Sequence, residues 1–149
     1  MHSTEAILAA SIIAIVIGIF LVPFIIYITT LSATIKLCST HNQELSPGSV
    51  WRVLIPVYGL IWHFIMVGKI ADTISNELKE RNQEVFERPG YNMGITFLVL
   101  QLLGIIPLIG SLFSLAGLVC WIIYWVKIND YKRLLSDTMS FGKSGDIFS

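Results

Sequence analysis

One short stretch carries most of the chemistry this sequence offers. At 100° per residue, Arg52, Pro56, Gly59 and His63 fall within an arc of about 60° on one face of an ideal helix. A cation at one end, a helix-loosening proline, a glycine and a titratable imidazole are the parts of a polar path through a membrane, so Arg52, Gly59 and His63 are candidate pore-lining residues. Protonating His63 would then add one positive charge per subunit to the path. The same residues admit a plainer reading. Arg52 snorkels outward, and His63 bonds a neighbouring helix near Thr96.

Covalent chemistry has no comparable signature. The sequence has no HExxH, GxSxG, P-loop or GxGxxG, and His2, His41 and His63 sit in separate regions without ligand spacing. Cys38 and Cys120 form neither a disulfide framework nor a zinc motif. Every acid lies outside the long apolar runs, so no membrane-buried carboxylate pair is available to move protons. The expectation is a protein that is not an enzyme and needs no cofactor or metal.

The elements that would position these residues follow from composition. Of 149 residues, 54% are hydrophobic and 13% charged, about half the ~25% charged share of a soluble domain. Ten basic and ten acidic residues cancel, leaving no net charge to attract nucleic acid. The thirty residues from Ala6 to Ile35 carry no charge. As a helix they reach ~45 Å, more than the ~30 Å bilayer core. Without a preceding Lys or Arg, and with an apolar run this long, the segment is a retained span and not a signal peptide. Val50 to Gly68 is just long enough for a second span. Ile70, Ile74 and Leu78, with Glu77/Arg81 and Glu84/Arg88 at i,i+4, extend it as a solvated helix. Pro89-Gly90 ends that helix. The uncharged run from Pro89 to Val126 is long enough for two more spans, with a hairpin tip at Pro107 between Gly104 and Gly110.

The expected architecture is therefore an all-α membrane protein with four spans, at about 6–30, 50–68, 92–106 and 109–127. A cytoplasmic helix at about 69–87 and a cytoplasmic tail at 128–149 complete a single membrane domain. Four spans place eight of the ten basic residues on one side, leaving only Lys36 and Arg52 opposite. The positive-inside rule then makes both termini cytoplasmic. Trp51, Trp121, Tyr124 and Trp125 fit aromatic belts at the interfaces.

Ala6, Ala10, Ala14 and Gly18 recur every four residues in span one. Such a row lets helix backbones approach closely, so Ala10, Ala14 and Gly18 are candidate interface residues, between subunits or within one chain. Lys69/Asp72 and Lys127/Asp130 place opposite charges three apart at the cytoplasmic ends of spans two and four. They form local ion pairs or, with Lys132 and Arg133, a cytoplasmic gate or a contact for an anionic ligand. Gln101 is polar glue between helices.

The stretch from Trp51 to Phe64 (WRVLIPVYGLIWHF), continuing as Lys69-Ile70-Ala71-Asp72-Thr73-Ile74, resembles the second span of small bacterial multi-pass membrane proteins with a W-x-x-L-I-P…W-x-F…K-I pattern. Tyr124 to Tyr131 resembles their fourth span, and Tyr58-Gly59 departs from the aromatic-Asn pair often found there. More remotely, the size and four-span plan are similar to Hailong-type anti-phage membrane effectors. That similarity implies an oligomeric pore in the bacterial inner membrane.

Two readings follow. The first is a homo-oligomeric ion-conducting pore, an anti-phage effector gated from its cytoplasmic face by a regulatory protein or an anionic ligand. The second is a non-conducting scaffold or accessory subunit that recruits a partner through the cytoplasmic helix. The lipid bilayer is a partner in both.

Overall fold

The computed structural model describes residues 2–84 and 87–145, and among these the secondary structure is helical with no strand. Four α-helices follow in order: α1 (His2–Lys36), α2 (Tyr58–Glu80), α3 (Tyr91–Leu103) and α4 (Gly110–Gly145). Two short 3-10 helices, Thr40–Asn42 and Ser49–Leu54, lie between α1 and α2. Thr4–Lys36 and Gly110–Met139 are long and apolar enough to cross a membrane; α3 is a shorter apolar helix.

The region expected as one helix at 50–68 is broken. Pro56 has no N–H to donate and pushes the residue before it out of the helical region. Ile55 is accordingly extended (φ −76°, ψ 118°), and Val57 sits at φ 63° before α2 begins. The chain reverses there. Trp62 Nε1 donates to the Ser49 carbonyl at 2.9 Å, and a Cβ on Gly59 would run into the Val53 carbonyl. Residues 49–62 are thus a tight hairpin in place of the first half of a span.

This hairpin changes the direction of α2. Residues 39–49 climb back along α2: Ser39 and Asn42 bond Glu77, the Glu44 N–H bonds Thr73 Oγ1, and Lys69 bonds the Glu44 carbonyl. Tyr27 meets His63, while Arg81 reaches the Leu37 carbonyl. Contacts advance together along both helices, so α1 and α2 run parallel. Consecutive spans would be antiparallel, and the expected placement of residues 37–48 opposite 69–88 is corrected. Both segments lie at one end.

α3 and α4 form a second hairpin. Gly94 fits against Val67 and the Tyr124 ring, Gly117 against Gln101, and Gly104 against Ser114. Its turn at 104–109 closes with the Gly110 N–H on the Ile106 carbonyl at 2.8 Å, and Leu108 takes φ 77°. α4 is parallel to α1, since Tyr27 packs on Trp121 and Thr30 bonds Trp125. The start of α1 and the end of α4 therefore lie at opposite ends of the molecule, contrary to the expectation of both termini on one side.

Two boundaries also differ from expectation. α2 stops at Glu80, short of 87, with Asn82 in the left-handed conformation that asparagine tolerates. Residues 85 and 86 of the expected extension lie outside the described residues. The tail expected at 128–149 continues α4 to Gly145, and 146–149 lie outside the described residues.

The buried core joins the second half of α1 to the rest, through Ile28, Leu31, Ile35, Met66, Ile70, Ile74, Leu98, Ile128 and Leu135. α1 from Thr4 to Ile17 stands clear of it, exposed at every position.

Candidate functional site

The residues expected on one polar face are separated by the break at Pro56. Arg52 is exposed, with its guanidinium carbon 5.2 Å from the centre of the Trp62 ring. Gly59 is buried against the Val53 carbonyl, where only a residue without a Cβ fits. His63 is 7% exposed and its Nε2 lies 2.9 Å from Tyr27 Oη on α1. Its neighbour is thus Tyr27 and not Thr96, whose hydroxyl bonds its own helix at the Asn92 carbonyl. Tyr27 was hidden in the apolar run of α1. It packs on Trp121, Tyr124 and Trp125, and Phe97 stands edge-on to His63.

Above this pair opens a largely apolar groove of about 740 Å³ between α1 and the tips of the two hairpins. Phe20 and Phe24 form one wall, Val57 and Leu60 another, and Gln101 and Ser114 add polar atoms. The tips are apolar: Val57 is 82% exposed and Leu108 fully exposed. Branched side chains at positive φ cost ~1–3 kcal/mol each, so both tips hold strained backbone while presenting hydrocarbon outward.

The opposite end is polar and tightly bonded. Glu77, expected as half of a solvated pair, is 2% exposed. It accepts from the Ser39 N–H at 2.7 Å, Asn42 Nδ2 at 2.9 Å and Arg81 at 2.9 and 2.6 Å. Arg81 also donates to the Leu135 carbonyl at 2.6 Å, the Leu37 carbonyl at 3.0 Å and the Thr138 hydroxyl. One guanidinium thus joins α1, α2 and α4. Burial works to raise the Glu77 pKa, but the hydrogen bonds from Asn42, Arg81 and Ser39, with the Arg81 charge, hold it below the usual carboxylate value. Burial and the nearby Glu77 carboxylate push the Cys38 thiol up to about 12 despite Arg81. Cys38 is therefore a poor nucleophile.

The expected local pairs are rearranged. Asp72 pairs with Arg88 at 2.7 and 2.5 Å instead of with Lys69. This bonding and the Asp72 charge hold Arg88 above its ordinary pKa, and its guanidinium stacks 4.1 Å from the Tyr91 ring centre. Arg88 thus closes the loop after α2 onto α2, a role its i,i+4 spacing from Glu84 did not signal. Lys127, Asp130 and Arg133 are exposed and Lys132 half-buried, with no ion pair between them. The structure does not bring Lys69 and Asp72 together with this α4 group. On α1, Ala10 and Ala14 are exposed, and nothing lies within 4 Å of a Cβ on Gly18, so the small-residue face is bare. No group of three or more His, Cys, Asp or Glu that could hold a metal occurs among the described residues.

No family model, curated protein or solved structure matches this chain.

Proposed function

We propose that the protein is a membrane scaffold: one span, α1, anchors a helical body seated at one face of the bilayer. The observation that carries this reading is the level at which the hairpins end. Phe20 lines the groove beside the Val57 tip, the Leu108 tip ends a few residues further on, and beyond about Val16 α1 continues alone. With Glu5 at the far interface, Phe20 lies ~22 Å into a ~30 Å core, so the Val57 tip enters the near side by ~8 Å. α4 begins level with about Val16, since Tyr27 packs on Trp121, so the Leu108 tip enters by ~14 Å and stops near the midplane. Part of the backbone at each tip is bonded within its own turn, through the Tyr58 and Gly59 N–H groups at one and the Ile106 and Gly110 N–H groups at the other. Arg52, Trp51, Tyr58 and Trp62 then sit near the headgroups, where a cation and aromatic rings are favoured.

Charge supports the same placement. All basic residues except Arg52 lie toward the polar end, so in a bacterial inner membrane that end faces the cytoplasm and the N-terminus faces outward. The partner surface also moves. The lower half of α2 is packed inside the body, whereas Lys127, Asp130, Lys132 and Arg133 of α4 present free charge to a cytoplasmic protein or anionic ligand. Cysteine labelling of intact cells tests the topology: a cysteine at Thr4 should react from outside and one at Asn42 or Ser136 should not. Labelling at Asn42 from outside restores the four-span arrangement.

A homo-oligomeric pore is the second reading, favoured by the bare Ala10, Ala14 and Gly18 face of α1. Such a pore would be lined by α1 and not by Arg52 or His63. Currents across planar bilayers that change with Ala14→Leu and ignore His63→Gln would establish it in place of the scaffold.

A further inference from the structure

Seating the body at one face gives the two leaflets very unequal shares of protein. Beyond about Val16 the far leaflet meets a single helix, α1. On the near side α1 is joined by α2, α3, α4 and the 49–54 turn. A helix with side chains is ~10–12 Å across, so each one displaces about 100 Å² of leaflet area. The near leaflet thus accommodates about four times the cross-section of the far one. The tips that insert are hydrocarbon: Val57, Ile105, Leu108 and Leu112 are all strongly exposed. Both are held at positive φ, so Val57 and Leu108 project from fixed turns and not from a collapsible loop. The salt-bridged polar end opposes closing of the body, since Arg81 fixes α1, α2 and α4 at one spacing.

We propose that this wedge makes the protein favour, and at high density generate, membrane that is convex on the side of its polar end. The partner is the lipid surface itself, and the inference rests on the one-span reading. Insertion confined to one leaflet spreads its headgroups without spreading those opposite, and binding by elements that insert on one side depends on curvature. A convex near leaflet already has the extra area, so the inserted body costs less there.

The test uses the full chain with a fluorescent protein at its C-terminus, reconstituted into giant vesicles of phosphatidylcholine and phosphatidylglycerol from which narrow tubes are pulled. External protease removes the fluorescence of molecules whose polar end faces outward, which separates the two orientations. Outward molecules should be enriched in tubes by about threefold, equivalent to ~0.7 kcal/mol each, and inward ones depleted. Equal densities in tube and parent vesicle for both orientations overturn the proposal. A Val57→Asp, Leu108→Asp variant should distribute evenly, since both sites are exposed and contribute little to the core; sorting as strong as that of the unaltered chain also overturns it. Quenching by brominated lipids of a dye on Leu108→Cys, in a Cys120→Ser background, separates the two levels of failure. An aqueous dye defeats the one-span reading with the inference, whereas a lipid-quenched dye with even sorting defeats the inference alone.

Discussion

The two ends of the body are built on opposite principles. At the polar end, Glu77 and Arg81 use nearly every donor and acceptor they have, and three helices are joined through them. At the apolar end, two strained turns, Val57 and Leu108, expose hydrocarbon and bond only within themselves. One end gains its stability from contacts inside the chain. The other depends on its surroundings, because apolar tips at these exposures favour an apolar medium. The His63–Tyr27 bond lies between them and ties the base of the groove to α1.

Breaking the polar end should have the largest effect. Arg81→Met leaves the Glu77 carboxylate buried without its cation and frees the Leu37 and Leu135 carbonyls. The loss should be about 3 kcal/mol, as for other partly or fully buried pairs that lose one member, and is read from denaturant unfolding in detergent. Unfolding unchanged within error would mean that the three helices hold together without Arg81.

Acid should attack the same end more gently. The Glu77 pKa is depressed in the folded state, so its contribution is complete above the ordinary Glu value of about 4.3 and is lost as pH falls through the lower, folded value. Thermal stability in detergent should therefore fall below about pH 4, and Glu77→Gln should flatten that fall while lowering stability at neutral pH. A variant whose acid limb matches the unaltered chain would assign the titration elsewhere.

The boundary between the ends is measured by a double-mutant cycle. Tyr27→Phe and His63→Phe should show a coupling of ~0.6 kcal/mol, the mean for polar contacts between membrane helices. Additive losses would reduce the pair to aromatic packing. The smallest effect belongs to the apolar end: Val57→Gly removes the positive-φ strain, and in detergent should stabilise by up to ~1 kcal/mol. A loss of stability there would show that the valine side chain packs against a neighbour.

Much of the fold was legible from periodicity and charge. The helical class, the apolar run of α1 and the turn around Pro107 all follow from length, proline and glycine. Direction did not follow. Hydropathy measures how far a segment reaches and not which way it points, and a 19-residue apolar stretch at 50–68 has the same average whether it crosses or doubles back at Pro56. The signals for doubling back are small polar groups, Ser39, Asn42 and Thr73, bonded partly through backbone atoms that carry no sequence mark. The helical-face projection placed Arg52 with His63 because it assumed continuity through Val57. Tyr27 was invisible for a related reason: one hydroxyl in a long apolar run looks like an interfacial aromatic until its partner is known. Glu77 and Arg81 were visible as a pair, but burial of both could not be inferred from i,i+4 spacing.

The hold of Arg81 on both Leu37 and Leu135 also sets an order of events during synthesis. Those carbonyls are separated by about 100 residues, and the loop between them must close before the guanidinium can satisfy both. While the ribosome is still adding α3 and α4, the emerging chain carries α1 with Glu77 and Arg81 unfinished beside it. In the one-span reading proposed above, α1 can enter the membrane at once, since its apolar first half packs on nothing else in the chain. The rest must wait. Residues 37–80 thus spend the time needed to make the 69 residues that follow, nearly half of the protein and several seconds at ~5–20 residues per second, as a polar-edged segment seeking its cover.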